Sequence, residues 1–251
     1  MFSVFKRPVR SLLTGLGYEV RRVQAVGSLV PGIKHVTVIP RSTYAPWLTD
    51  SEFKEAFAEI VHHTAVDIYR CYELWRLAGQ SWKVPGDVIE VGVWKGGTGC
   101  LMARALLGQG DGRAVWLCDT FRGVVKAGDR DTQYKGGEFA DTSTDIVQKL
   151  TEDMGLKNVR LLEGIFPDET GPLVQDRRFS LCHIDVDVYQ SAKDAFDFVW
   201  QRMPPGGVVV FDDYGFLGTE GIIQFVNEQT LVRDRVMVHN LNGHAIAVKT
   251  V

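Results

Sequence analysis

Val88-Ile89-Glu90-Val91-Gly92-Val93-Trp94-Lys95-Gly96-Gly97-Thr98-Gly99 is the stretch on which the fold turns. Pro85-Gly86 breaks the chain just before it, a β-rich run then reaches Gly92, and a cluster of glycines opens a helical pattern near Thr98. Strand, tight turn and helix in that order make a place where backbone can approach a ligand closely. The spacing is not a strict G-x-G-x-x-G, so the turn alone does not name the ligand.

Reading outward, further strand-like runs fall at Val115 to Cys118, Val159 to Leu162, Phe179 to Ile184, Val208 to Phe211, Val236 to His239 and Ala245 to Lys249. Helical patterns between them start near Thr98, Asp145, Ser191 and Thr219. This alternation predicts an α/β fold with a mostly parallel, doubly wound sheet of seven strands. The last two runs are separated only by a turn-rich stretch containing Asn242-Gly243, so they should form a C-terminal antiparallel hairpin. Upstream, Phe53, Phe57, Ile60, Val61, Ala65, Ile68, Leu74 and Leu77 recur at helical spacing, which predicts one or two helices covering the sheet. The expected organisation is an N-terminal arm (1–40), a helical cap (41–86) and a catalytic domain (87–251).

Asp119 ends the second strand about 20 residues past the last glycine, where an acid can accept both ribose hydroxyls. Glu90, read as sitting at the end of the first strand, suits a cationic ligand better than a pyrophosphate. S-adenosylmethionine, which carries a sulfonium and an ammonium and no phosphate, meets that description.

Two later strand runs end in paired acids: His183-Ile184-Asp185-Val186-Asp187-Val188-Tyr189 and Phe211-Asp212-Asp213-Tyr214-Gly215. Four carboxylates at one sheet edge repel one another and lose hydration, a cost that a cation or a shared proton offsets. The pattern reads as a divalent metal site with a spare base. Asp213 as a cap for the following turn is the alternative for that residue.

Composition narrows the field. In 251 residues, 28 Lys plus Arg stand against 31 Asp plus Glu, so total charge points to neither nucleic acid nor an acidic partner. Cys71, Cys100, Cys118 and Cys182 lie in apolar segments without metal-ligand spacing and read as reduced core thiols of a cytoplasmic protein. No apolar run has the length of a membrane span. Met1 to Val23 interleaves Phe2, Phe5, Leu12 and Leu13 with Lys6, Arg7, Arg10 and Arg21, a pattern that fits packing on its own domain, on a subunit of a dimer, or on an anionic membrane surface. Gly123 to Thr142 is polar and aperiodic, which predicts a mobile lid or binding loop.

Taken together, Val88 to Gly99, Asp119-Thr120-Phe121-Arg122-Gly123, Glu163-Gly164-Ile165-Phe166-Pro167-Asp168, Asp185 to Ser191, and Pro205-Gly206-Gly207 running into Asp212 to Gly215 resemble the TylF-type O-methyltransferases. The resemblance implies a class I methyltransferase (Rossmann-like) fold and magnesium-dependent transfer of a methyl group from S-adenosylmethionine to a sugar hydroxyl. It implies Asp185, Asp212 and Asp213 as metal ligands and Asp187 as general base. For the cofactor it points to Glu90, Gly92, Trp94, Asp119, Thr120, Ser143, Phe166 and Asp185. Val186 and Val188 depart from the usual Asp-Gly-Asp-Leu-Tyr. The acceptor expected is a sugar of a glycosylated natural product or of a surface polysaccharide.

Chemistry supports the same roles, since a sugar hydroxyl needs proton removal and stabilisation of the developing alkoxide. Asp187, two residues from Asp185, should project from the same side of an extended strand end. His183 reads as a core or supporting residue, and His62 and His63 as polar surface of the covering helix. Thr64 is a candidate for the methionine end of the cofactor, and Tyr44 and Trp47 for the acceptor pocket. A nicotinamide-dependent sugar dehydrogenase and a non-catalytic nucleoside-binding subunit are the rival readings.

Overall fold

The computed structural model of the chain describes residues 42–107 and 112–251, with 13, 15, 16, 27 and 29–39 of the N-terminal region. Most of Met1 to Val23, and with it the expectation for the arm, lies outside the described residues. The chain divides into two units, Met1–Ile39 and Pro40–Val251; in the first, Gly27 and His35 form an isolated antiparallel bridge.

The second unit opens with two helices, α1 (Ser51–Ile60) and α2 (Ile68–Ala78). Asp50 caps α1 by accepting from the Phe53 amide, and Asp67 caps α2 by accepting from the Tyr69 and Arg70 amides. The break between them falls at Val61–Asp67, so His62 and His63 sit in a connecting turn, not on the covering helix.

Seven strands then alternate with helices: β1 (Asp87–Val91), α3 (Gly97–Leu106), β2 (Val115–Asp119), α4 (Thr144–Asp153), β3 (Val159–Glu163), β4 (Phe179–Ile184), α5 (Tyr189–Trp200), β5 (Val208–Phe211), α6 (Glu220–Gln229), β6 (Arg235–His239) and β7 (Ala245–Lys249). The sheet order is β3-β2-β1-β4-β5-β7-β6, with β7 antiparallel to both β5 and β6 and the remaining pairs parallel. The expected sheet and terminal hairpin are therefore present.

Strand side chains alternate between two apolar layers. Val88, Val115, Leu117, Leu181 and Val210 pack with Phe53, Leu74, Leu101 and Val147 from α1 to α4. Ile89, Cys118, Cys182, Val209 and Phe211 pack with Phe196 and Val199 of α5 and Phe225 of α6. All four cysteines are buried and free. No helix among the described residues is long and apolar enough to cross a membrane.

Sequence direction along the sheet reverses between β1 and β4, which opens a crevice at the carboxyl ends of these strands. The two strand ends touch there. Gly92 has φ 87°, and a Cβ on it would stand 1.7 Å from the Asp185 carbonyl oxygen, so only glycine lets the turn after β1 pass the acid after β4.

Candidate active site

One cavity of about 340 Å³ occupies that crevice, and its wall includes the residues that follow the first five strands: Gly92, Thr120, Gly164, Asp185 and Asp212. Val93, Trp94, Asp119, Phe166, Asp187 and Asp213 line it too, as do His63 and Thr64 from the turn between α1 and α2. Tyr134 and Phe139 close it from the loop after β2.

On the nucleoside side, Asp119 is already engaged. Its Oδ2 accepts from the amides of Val93 (2.6 Å) and Trp94 (2.9 Å), and its Oδ1 from that of Phe121 (2.7 Å). These bonds hold Trp94 and Phe121 in left-handed conformations, φ 47° and 52°. A carboxylate offers about four lone-pair sites, so the three amides leave room for one ribose hydroxyl rather than the two expected. Thr120 donates to the Gly123 carbonyl at 3.1 Å, and the buried Phe166 presents its ring to the cavity.

Two residues expected at the cofactor stand elsewhere. Glu90 lies inside β1, fully buried, where alternation points it away from the crevice towards α3; its Oε1 meets His183 Nδ1 at 2.8 Å. Ser143 caps α4, its hydroxyl accepting from the Ile146 amide, and does not line the cavity. Tyr44 is exposed, and Trp47 packs edge-on against Tyr69 and Tyr72, so neither reaches the cavity wall.

On the acid side, ligand oxygens of Asp185, Asp212 and Asp213 lie within 4.8 Å of one another. Desolvation, with repulsion from Asp212 and the other acids, holds the Asp185 carboxyl well above the ordinary range; desolvation and then Asp187 do the same to Asp213. Burial would also raise Asp212, but His183, His244 and Arg70 outweigh it and hold that carboxyl low. Its Oδ1 meets His244 Nε2 at 2.9 Å, with His183 Nε2 at 3.6 Å, and Arg70 donates to its Oδ2. The set fits a hard divalent cation: three carboxylates converge, one is neutralised from behind, and the other two keep a charge cost that a cation removes.

Asp187 does not extend β4 as expected. Its φ is 63°, the Val188 amide donates to the Val186 carbonyl across it at 2.7 Å, and its own amide donates to Asp213 Oδ2 at 3.1 Å. Asp187 thus sits at the apex of a γ-turn. Burial, with the charge of Asp212, pushes its carboxyl up to about 6 against the pull of a hydrogen bond from Tyr134.

Arg70 and Tyr134 were not expected at the site. His244 was legible in principle: pairing Phe211 with Ala245 puts it beside Asp212. Arg70 shares its buried helix face with Cys71, Leu74 and Ala78, an arginine in an apolar stripe. Tyr134 lies in an aperiodic loop that carries no such signal.

A seven-stranded sheet with an antiparallel β7, and a cleft with carboxylates at the strand ends, define the class I O-methyltransferase fold. The O-methyltransferase NovP shares it, with a TM-score of 0.62 and 24% identity over 75% of this chain and 82% of that one. The macrocin O-methyltransferase (TylF) family matches residues 73–242. The mycinamicin III 3''-O-methyltransferase of Micromonospora griseorubida is 33% identical over 188 residues, covering 66% of this chain and 73% of the relative. A tetracenomycin rhamnosyl 4'-O-methyltransferase of Streptomyces olivaceus is 36% identical over 141 residues, 52% of this chain and 54% of the relative. The chain spans about half the length of that second relative. It belongs to the TylF family and is an enzyme of the S-adenosylmethionine-dependent O-methyltransferase class.

Proposed function

We propose that this enzyme methylates a hydroxyl of a sugar, on a glycosylated natural product or a surface polysaccharide unit, with S-adenosylmethionine as donor and Mg²⁺ at Asp185, Asp212 and Asp213. The observation that carries this reading is the position of Asp187: buried beside those three acids, with its carboxyl pushed up to about 6, inside the same cavity as the glycine turn. The names of the relatives support the acceptor class, since two of them methylate sugar positions of glycosylated compounds.

Asp185, Asp212 and Asp213 would hold a divalent cation, whose positive charge would lower the pKa of a sugar hydroxyl beside it. Asp187, buried beside the three acids and lining the same cavity, receives the proton. Arg70 and His244 hold Asp212 in place from behind, so the cluster keeps its geometry as charge shifts. Asp119 fixes the turn at Val93 and Trp94 and takes a ribose hydroxyl, and Phe166 packs against the nucleoside. Thr64 lines the cavity next to Gly97, whose amide donates to the His63 carbonyl at 3.0 Å.

Family membership sets aside the nicotinamide dehydrogenase. The remaining rival, a non-catalytic subunit, has no use for four intact acids. Calorimetry with S-adenosylhomocysteine tests the cofactor: no binding at micromolar concentration sinks the assignment. A screen of nucleotide sugars and glycosides with labelled S-adenosylmethionine tests the acceptor class. Asp187→Asn tests the base, with loss of turnover and retention of metal binding as the expected result.

A further inference from the structure

Three successive amides frame the proposed base. That of Asp187 goes to Asp213, that of Val188 to Val186, and that of Tyr189 to Asp131 Oδ1 at 2.9 Å. The last of these crosses from another part of the chain. Tyr189 begins α5, and the residue before it, Val188, has no side chain able to cap a helix. The missing cap is supplied by Asp131, in the loop after β2.

Asp131 is built into this place. It is 5% exposed, its Oδ2 accepts from the Gly128 amide at 2.8 Å, and a Cβ on Gly221 of α6 would stand 2.1 Å from its Oδ1. Neighbouring bonds fasten the same loop to α5: Ser191 donates to the Val125 carbonyl at 2.8 Å, Lys126 pairs with Asp194 at 2.7 Å, and the Arg130 guanidinium lies 4.0 Å over the Tyr189 ring. Residues 124–132 belong to the segment expected to be a mobile lid or binding loop, and Val124 and Val125 line the cavity. They are fixed against the helix that starts two residues after Asp187.

We propose that Asp131 is a positioning residue for Asp187: its carboxylate caps α5 from the loop and so holds the strained turn that presents the base to the acid cluster. This rests on the reading of Asp187 as base. A left-handed, non-glycine residue persists only where its surroundings over-determine it, and here the downstream restraint comes from Asp131. The cap also places the positive end of the α5 dipole under a fixed carboxylate.

The test uses the full chain carrying Asp131→Ala or Asp131→Asn, with crystal structures and hydrogen exchange as readouts. Asparagine keeps an oxygen that accepts from the Tyr189 amide, whereas alanine removes it. In Asp131→Ala, residues 185–192 are expected to exchange about fivefold faster or more, and Asp187 is expected to leave its left-handed conformation. Asp131→Asn should restore both. Should the alanine variant fail to fold, Asp131→Leu removes the acceptor while keeping the bulk and is read the same way. An alanine variant that keeps Asp187 in its γ-turn with unchanged exchange overturns the proposal. These readouts do not depend on chemistry, so they separate from the test of the base itself. Turnover retained by Asp187→Asn removes the base, and with it the catalytic meaning of the cap.

Discussion

The backbone amide of Asp187 donates to Oδ2 of Asp213 at 3.1 Å, so the loops after β4 and β5 are joined through one of the acids proposed to hold metal. Asp213 therefore has two duties that a single substitution separates. Asparagine keeps an oxygen for the Asp187 amide and loses the charge. We expect Asp213→Asn to fold normally while weakening Mn²⁺ binding, followed by electron paramagnetic resonance, by at least about tenfold. Equal Mn²⁺ affinity in the two proteins would remove Asp213 from the ligand set.

Asp187 is held at a cost to stability, and the sign follows from its titration. Its folded value of about 6 lies above the ordinary aspartate value of about 3.9. The native chain binds this proton more tightly than the unfolded chain. The group's contribution is therefore fully present below about pH 4 and is lost as pH rises through about 6. Asparagine has no such dependence and tolerates the left-handed backbone. Without divalent ions, Asp187→Asn should be more stable than wild type by about 3 kcal/mol at pH 7.5 and no more stable at pH 4. Urea unfolding at the two pH values measures this.

Arg70 neutralises Asp212 from a buried position, and its guanidinium also lies 4.6 Å over the Phe216 ring. Replacing it by methionine keeps the bulk of the stem and strands the carboxylate. We expect Arg70→Met to lose about 3 kcal/mol or more of unfolding free energy. A loss under about 1 kcal/mol would mean that His183 and His244 alone suffice for Asp212.

Gly92 permits the contact between the β1 turn and Asp185. A methyl group there meets backbone, which cannot rotate away, at a φ that disfavours any side chain. Gly92→Ala should cost about 3 kcal/mol or more and weaken S-adenosylhomocysteine binding in calorimetry. Wild-type affinity and stability together would show that the turn has slack.

Much of the fold is legible along the chain because each layer writes its own period. Val208 to Phe211 and Phe179 to Ile184 are strands in the structure as they are in the sequence, and the Asn242-Gly243 turn closes the terminal hairpin. The limits appear where a partner is distant in sequence. The start of α5 reads as Ser191 locally but falls at Tyr189, because Asp131 supplies the cap from 58 residues away. Glu90 has the composition of a cofactor residue, yet the pleat turns it towards His183 and away from the crevice.

The acids themselves, Asp185, Asp187, Asp212 and Asp213, and their place at strand ends, are properties of the sequence alone, since an apolar, strand-like run ending in a carboxylate marks a strand end without reference to anything else. Which acid is neutralised, which keeps its charge cost and which is turned out of line was decided by tertiary structure. Arg70 comes from α2, His244 from the far end of the hairpin, and Asp131 from an aperiodic loop. Charge and backbone strain act through space, over a few ångströms, between residues whose separation along the chain carries no trace of the contact.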